Sequence, residues 1–357
     1  MAVAAVALES PIVGGVDTHK DVHVAAALDE LGRLLGTAEF PTTPTGYRAL
    51  LAWLAAFGPV HRVGVEGTGA WGAGLARFLV AAGVDVVEVD RPNRQRRRRR
   101  GTSDPADAEA AARAVLAGEV SGTPKAQDGP VEAIRALRVA HRSAERARTQ
   151  ATNQPRSLLD TAPATLRAQL RGLRLRQLVE RAARYRPGDD LRDPLAATKA
   201  ALRSLARRWL LLSAEIADLE RQLARLVRAV APPAFLAEFG VGPDVAGTLL
   251  VAAGDNPDRL RTEAAFAALC GVSPIDASSG RQRRHRLNRG GTREANAALW
   301  RIVMVRLRWD HPPTRAYIHR RTAEGKTIPE AIRCLKRYLA RRIWRLLTQP
   351  PGATASP

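Results

Sequence analysis

The chain has 357 residues, of which 45% are apolar, so it is long enough for two or three domains with proper hydrophobic cores. Its formal net charge of +21 and isoelectric point near 11.4 exclude an ordinary near-neutral enzyme surface and indicate a polyanionic partner, with nucleic acid the first candidate. Most of the basic residues are arginine, which favours phosphate binding but is equally typical of a GC-rich genome.

The sequence also argues against several other classes of protein. Cys270 and Cys334 show no CxxC or Cys/His spacing, so neither a zinc site nor a disulfide framework is predicted. The apolar start, Met1–Leu8, is too short and uncharged for a signal peptide, and no stretch approaches ~20 uninterrupted apolar residues. We therefore expect a cytoplasmic protein that works on nucleic acid and has no membrane partner.

Residues 10–120 alternate strand and helix patterns. Strands are predicted at 12–17, 22–28, 34–40, 60–66 and 84–89, and helices at 45–56 and 70–82. A meander of three strands followed by α/β alternation indicates a mixed sheet flanked by helices, so this part has an α/β fold class. Asp17 and Glu66 end the first and fourth strands, where open α/β sheets place their sites.

Two more acids follow an arginine-rich segment. Asp104 and Asp107 open a predicted helix, where they either cap it and favour its dipole or share one face that holds metal. Four carboxylates beside a basic surface predict a Mg²⁺ site for phosphoryl transfer, because two metals stabilise the attacking and leaving oxygens. The preceding basic segment is predicted to contact backbone phosphates without sequence specificity; it comprises Arg94, Arg96, Arg97, Arg98, Arg99 and Arg100. His19 and Lys20 either contact phosphate or are plain turn residues, and the turn interpretation is favoured.

Residues 131–230 show helical patterns. Apolar residues between Leu202 and Leu226 recur with the 3-4 spacing of a coiled-coil seam, and an earlier helix from Val131 towards Leu159 is its predicted antiparallel partner. Residues 184–194 break the pattern and are predicted to form a loop. This section is either a helical spacer or a dimerisation arm.

Residues 232–347 are predicted to form a third, mostly helical unit. The segment 239–243 resembles a helix-hairpin-helix turn, and helices are predicted around 299–307 and 328–347. Between them a polar loop, 273–291, contains Ser278 and Ser279. A serine there is either a turn residue or a nucleophile towards phosphorus that is assisted by nearby cations, which are Arg281, Arg283, Arg284, His285, Arg286 and Arg289.

At these residues the chain resembles the insertion-sequence "one-ten" transposases, also called DEDD transposases or bridge-RNA-guided serine recombinases. The matching motifs in the first part are Gly15-Val16-Asp17-Thr18-His19-Lys20-Asp21, Val65-Glu66-Gly67-Thr68-Gly69, and the segment from Arg91-Pro92-Asn93 through Ser103-Asp104-Pro105-Ala106-Asp107-Ala108. Those in the last part are Gly271-Val272-Ser273-Pro274, Ser278-Ser279-Gly280, Asn288-Arg289-Gly290-Gly291 and 320–326. The resemblance extends over nearly the whole chain, in order.

The resemblance implies three domains. These are a RuvC-like (RNase H-like) α/β domain at 1–125, a helical coiled-coil arm at 126–230, and an all-α transposase domain with a serine loop at 231–350. The carboxylates of the first correspond to Asp17, Glu66, Asp104 and Asp107, which would bind Mg²⁺. The nucleophile of the third falls at Ser279, with Ser278 as the adjacent candidate.

The resemblance also implies how the protein works. Serine attack on a DNA phosphate gives a phosphoserine intermediate, and a structured noncoding guide RNA pairs with double-stranded donor and target DNA. A homo-oligomer is expected, a dimer or a synapsed tetramer, in a bacterial, nucleoid-associated protein. Two alternatives stay open: a RuvC-like Holliday-junction resolvase or nuclease that uses water, and a non-catalytic nucleic-acid-binding remnant.

One residue departs from the expected helical arm. Pro155 lies inside the first predicted helix of the arm, where a proline removes a backbone hydrogen bond and costs about 3 kcal/mol. It predicts either a kink or a decayed copy of the element.

Overall fold

The computed structural model describes residues 10–89, 103–120, 122–281 and 285–348. The chain divides into two compact units, the first formed by Met1–Gly129 with Ala253–Arg261 and the second by Pro130–Ala252 with Thr262–Pro357. The division into three domains stays a prediction.

The first unit contains a mixed five-stranded sheet, as predicted. Its strands are β1 (Ile12–Thr18), β2 (Val22–Leu28), β3 (Leu34–Pro41), β4 (Val60–Glu66) and β5 (Asp85–Val89). Their order is β3-β2-β1-β4-β5, with antiparallel pairing among the first three strands and parallel pairing of β1 with β4 and β4 with β5. The meander and the α/β alternation that the sequence predicts are therefore confirmed. The arrangement is consistent with the RuvC-like expectation.

Helices cover both faces of this sheet. They are α1 (Pro44–Ala55), α2 (Ala73–Ala81) and α3 (Asp104–Leu116). On one face Leu50, Leu54 and Leu75 pack with Val63 and Val65, and α3 packs on the other face. Every residue of β1 is buried, which explains its continuous apolar run.

Local hydrogen bonds set the ends of the first two helices. Thr43 caps α1 by accepting a hydrogen bond from the backbone nitrogen of Gly46 at 3.1 Å. Helix α2 begins later than the predicted 70–82, because residues 67–72 form turns in which Ala70 and Gly72 both donate to the carbonyl of Gly67.

The second unit begins with a pair of long helices. They are α4 (Pro130–Asp160) and, after the short helices α5 (Ala164–Leu170) and α6 (Leu175–Ala183), α7 (Pro194–Val230). Trp209 Nε1 donates to Thr152 Oγ1 at 3.0 Å, and His141 lies 3.6 Å from Glu220, so α4 and α7 run antiparallel as predicted. Helices α5 and α6 lie in the stretch predicted as helical but were not predicted as separate elements, and their apolar residues pack on the start of α7.

Helix α4 continues through Pro155, which is buried. The proline therefore does not end the arm helix, although its backbone cannot donate the usual hydrogen bond to the carbonyl four residues earlier.

The rest of the chain is mostly helical. Its elements are α8 (Pro233–Leu236), α9 (Pro243–Ala253), a 3-10 turn (Pro257–Arg259), α10 (Glu263–Leu269), the two-residue strands β6 (Ile275–Asp276) and β7 (His285–Arg286), α11 (Arg293–Arg308), α12 (Pro312–Ala323) and α13 (Ile328–Thr348). The two predicted helices correspond to α11 and α13, while α10 and α12 were not predicted. Within the described residues, no helix is both long and apolar enough to cross a membrane.

Candidate functional site

The parallel pairing of β1 and β4 brings two acids to the same edge of the sheet. Val16 is in register with Val65, so Asp17 and Glu66 follow side by side at the carboxyl ends of their strands. Aligned residues of neighbouring strands project to the same face. Thr18 ties the two ends together, since its hydroxyl donates to the carbonyl of Glu66 at 2.8 Å.

Two glycines bring α3 close to that face of the sheet. A β-carbon on Gly15 would lie 2.2 Å from the backbone nitrogen of Ala112, and one on Gly64 would lie 2.6 Å from Val115. Because side chains alternate along a strand, Asp17 shares the face of Gly15, and Glu66 that of Gly64. The helix that covers this face begins at Asp104, so its first turn meets the sheet edge where Asp17 lies.

The first turn of α3 carries the other two acids. Asp104 and Asp107 both lie there, and Ser103 is the N-cap residue by backbone conformation. Both carboxylates act electrostatically on Asp17. Asp104 and Asp107 can therefore stabilise the start of α3 and also contribute to a metal site, because the first turn of α3 faces Asp17.

His19 lies in the turn between β1 and β2, as predicted, and its side chain also connects the two sets of acids. Its Nε2 lies 3.2 Å from Asp17 Oδ2 and 3.4 Å from Asp104 Oδ1. The available sequence signal was its position two residues after Asp17, which puts both side chains on one face. Trp71, also overlooked, lies with its ring centroid 6.4 Å from that of His19, and 56% of the residue is exposed.

Asp17 is the buried member of the cluster, with 8% of its surface exposed. Burial raises the pKa of its carboxyl group, His19 opposes this, and Asp107 and Asp104 raise it further. A buried acid surrounded by other acids costs free energy when it ionises. A cation at this position would offset that cost.

The donor set decides which cation fits. Asp17, His19 and Asp104 each offer one ligand atom, and these three atoms lie within 4.8 Å of one another. Carboxylate oxygens are the ligands that Mg²⁺ prefers, while an imidazole suits softer transition metals. The carboxylates therefore fit Mg²⁺, and His19 fits better as a hydrogen-bonding partner that orients them. Glu66 and Asp107 lie outside this group of three, so the four-carboxylate metal site stays a prediction.

The serine candidates follow the first strand of a small hairpin in the second unit. Ile275 pairs with Arg286 and Asp276 with His285, and this strand pair lies inside the segment that the sequence predicts as a loop. Ser278 and Ser279 are exposed. Hydrogen bonds from the hydroxyl and the backbone nitrogen of Ser278 lower the pKa of Asp276, so this carboxylate holds Ser278 in place.

The predicted nucleic-acid-binding arginines are partly described. Arg281, Arg286 and Arg289 are exposed around the hairpin. The others lie outside the described residues; they are Arg94, Arg96, Arg97, Arg98, Arg99, Arg100, Arg283 and Arg284.

Comparison with known proteins agrees with the resemblance. Residues 14–163 match a family model for DEDD transposases of the IS110 type, a range that contains all four carboxylates. Residues 235–319 match a second model, described as a transposase of the IS116/IS110/IS902 family, and this range contains both serines. No sequence among the curated proteins matches the chain. The two family models together match more than half of the chain in the expected order, and the chain therefore belongs to the IS110 family of transposases, enzymes that cleave and rejoin DNA.

Proposed function

We propose that this transposase cuts and rejoins double-stranded DNA through a phosphoserine intermediate, guided by a structured noncoding RNA. One observation carries the proposal: Asp17 and Asp104, from elements about ninety residues apart in sequence, meet at one sheet edge with His19 between them. The same chain presents two exposed serines on a cationic hairpin. The RNA guide rests on the family resemblance and on the net charge of +21.

The residues divide the work as follows. Ser279 attacks phosphorus, so a bond from its oxygen forms while the bond to one deoxyribose oxygen breaks. The serine loses its proton and the departing oxygen gains one. Because the phosphoserine ester keeps the energy of the broken bond, rejoining needs no external energy source. Arginines near the hairpin stabilise the negative charge that develops on the phosphate oxygens.

The carboxylates would orient the scissile phosphate through a bound metal ion, since on their own they repel its negative charge. Asp17, Glu66, Asp104 and Asp107 would hold Mg²⁺, which supplies charge stabilisation for the attacking and leaving oxygens. His19 hydrogen-bonds to Asp17 and Asp104 and so fixes where their oxygens point. Trp71 lies beside this cluster, with its ring centroid 6.4 Å from that of His19.

The alternative of a RuvC-like nuclease that uses water also has an observation in its favour. The hydroxyl of Ser278 bonds to Asp276, which is a structural role for at least one of the two serines. Hydrolysis would leave free DNA ends, whereas serine attack leaves protein attached to DNA.

A denaturing gel separates the two reactions. The wild-type protein, incubated with its guide RNA and labelled DNA, should give a covalent protein–DNA adduct. We expect Ser279→Ala to abolish the adduct and to retain DNA binding, while Ser204→Ala, on the exposed side of α7, leaves both unchanged. An adduct that persists in both Ser278→Ala and Ser279→Ala excludes this nucleophile, and cleavage with no adduct in the wild type favours the nuclease.

A further inference from the structure

The second unit contains a cleft of about 1120 Å³ whose helical wall has no part in the proposed reaction. It lies between α12, α13 and the chain on either side of the serine hairpin, residues 271–274 and 285–293. Its volume slightly exceeds the ~300–1,000 Å³ of pockets that hold drug-sized ligands. The space is therefore large enough for a few nucleotides.

One face of α13 forms a wall of this cleft. Most lining residues of α13 recur once per helical turn and so share one side of it, and Lys336 also lines the cleft; those on the shared side are Glu330, Arg333, Cys334, Arg337, Tyr338 and Arg341. Other positions of α13, including Leu339, Ala340 and Ile343, are buried within the unit. Burial of the apolar side of α13 thus fixes the orientation of the helix, so that its cationic side faces the cleft.

The protein balances the charge around this cleft only in part: Arg321 of α12 is paired with Glu324, and Glu263 serves two arginines of the wall. Among the described residues that line the cleft, arginines and lysines outnumber carboxylates nine to one. Arg333, Arg337 and Arg341 follow one another at four-residue intervals, an arrangement that destabilises a helix by ~0.2–0.5 kcal/mol per like-charged pair. Glu263 contacts Arg337 at 3.2 Å and Arg341 at 2.6 Å, whereas Glu330 reaches Arg333 only at 3.9 Å.

Two arginines that line the cleft each have a hydrogen-bond donor without a partner among the described residues. Nη1 of Arg337 and Nε of Arg321 are buried and have no hydrogen-bond acceptor within the described part of the chain. Buried donors without an acceptor cost free energy. Phosphate oxygens in the cleft would neutralise the excess charge of these arginines.

An aromatic side chain lies among these cations. Tyr338 is 53% exposed, yet its ring is held edge-to-face against Tyr317, with centroids 5.7 Å apart. The guanidinium of Arg321 lies 6.0 Å from the centre of the Tyr317 ring. A fixed, half-exposed ring beside phosphate-binding groups is typical of sites where unpaired bases stack.

We propose that this cleft binds a short single-stranded segment of nucleic acid. Arg333, Arg337 and Arg321 contact its phosphates, and Tyr338 stacks on a base. A paired duplex does not fit this arrangement, because its base faces are already stacked on each other, whereas a strand with unpaired bases offers a free face.

The position of the cleft places the bound strand next to the serine hairpin. Ser273 and Pro274 enter β6 and His285 and Arg286 form β7, and all four line the cleft, so the bound segment lies at the base of the hairpin that carries Ser278 and Ser279. Lys336 joins this region to α13, since its Nζ lies 2.7 Å from Asn296 Oδ1 and the amide of Asn296 donates to the carbonyls of Cys270 and Gly271. Binding of a single strand in this cleft is separate from the proposed reaction, because it needs no cleavage step.

Fluorescence anisotropy with the full-length protein tests it. The probes are a labelled oligothymidylate of about six nucleotides and a duplex of mixed sequence, each titrated at several salt concentrations. Tyr338→Ala should weaken single-strand binding about 5- to 150-fold, the equivalent of ~1–3 kcal/mol of base stacking, with little effect on the duplex. Tyr338→Phe should bind like the wild type. Arg333→Ala should reduce the salt slope for the single strand by ~0.7, the value for one phosphate contact.

Two control variants show how much binding is lost when an exposed aromatic or basic residue outside the cleft is removed. Trp309→Ala removes another exposed aromatic residue of the second unit, and Arg225→Ala removes an exposed arginine of α7. Equal losses in Tyr338→Ala and Trp309→Ala, or an equal loss of duplex binding, would overturn the proposal. A second measurement uses the unaltered protein: photo-crosslinking of 5-iodouracil oligonucleotides should label peptides containing Tyr338 or Tyr317. Labelling confined to other peptides contradicts the proposal whatever the variants do, and none of these outcomes depends on the serine reaction.

Discussion

Gly15 on β1 and Ala112 on α3 lie in direct backbone contact. A β-carbon on Gly15 would lie 2.2 Å from the Ala112 nitrogen and 2.3 Å from the Ala108 carbonyl oxygen, closer than any side chain tolerates. This contact sets the distance between sheet and helix, and so sets where Asp104 lies relative to Asp17. A glycine in a strand frequently marks such a close approach.

Gly15→Ala should therefore destabilise the first unit and disturb the carboxylate cluster. Overpacking in a core typically costs ~1–3 kcal/mol, and here backbone rather than a side chain must move. Thermal unfolding and hydrogen exchange of β1 and α3 peptides measure the effect. Gly69→Ala is the matched control, because a β-carbon there meets no atom within 4 Å. Equal melting temperatures for the two variants would show that α3 does not depend on this contact.

The buried carboxyl group of Asp17 predicts a pH dependence. Burial raises its pKa above 3.8, so the folded protein binds this proton more tightly than the unfolded chain does. The contribution to stability is present below the unfolded pKa and is lost as the pH rises through the folded one. Without divalent metal, Asp17→Asn should therefore melt at a higher temperature than the wild type at neutral pH, and the difference should vanish below about pH 4.

Melting curves across that pH range, in a chelating buffer, check this expectation. Asp189→Asn serves as the control, because Asp189 is exposed in the loop before α7. A neutral-pH melting temperature of Asp17→Asn at or below that of the wild type would contradict a penalty for ionising this carboxyl group.

Addition of Mg²⁺ should reverse the order of stability. A ligand that binds only the folded state stabilises it by about 2.7 kcal/mol at a hundred times its dissociation constant. The melting temperature of the wild type and of Asp189→Asn should therefore rise with Mg²⁺, while Asp17→Asn and Asp104→Asn should not respond. If Asp17→Asn responds as strongly as the wild type, the metal lies elsewhere.

The interior proline of α4 predicts a stabilising substitution. Pro155→Ala restores the backbone N–H that the carbonyl of Ala151 lacks, a gain of about 3 kcal/mol. It also removes two buried methylene groups, a loss of about 1.6 kcal/mol at 0.8 kcal/mol each. We expect a net gain of roughly 1–1.5 kcal/mol in the free energy of unfolding, measured by chemical denaturation.

Pro194→Ala is the corresponding control. Pro194 begins α7, where a backbone N–H has no helical acceptor, so this substitution should give no gain. A Pro155→Ala variant that is less stable than the wild type would mean that contacts of the ring outweigh the missing hydrogen bond.

The sequence by itself determined the sheet of the first unit. Strands buried on both faces, such as β1, have apolar runs bounded by polar turns, and this local signal predicted all five strands to within a residue or so. It also placed Asp17 and Glu66 at strand ends and predicted the antiparallel pair α4 and α7. The short helices α5 and α6 lacked such a signal, since each has only two or three buried residues that pack on α7.

The tertiary structure alone decided which side chains meet. In the sequence His19 looks like a turn residue only. In the structure the packing of Gly15 against Ala112 brings Asp104 within 3.4 Å of it. The cationic cleft combines α12, α13 and the ends of the serine hairpin, and no local pattern records that these segments converge. Periodicity reports the burial of each element, whereas a site depends on the distances between elements, which close packing fixes.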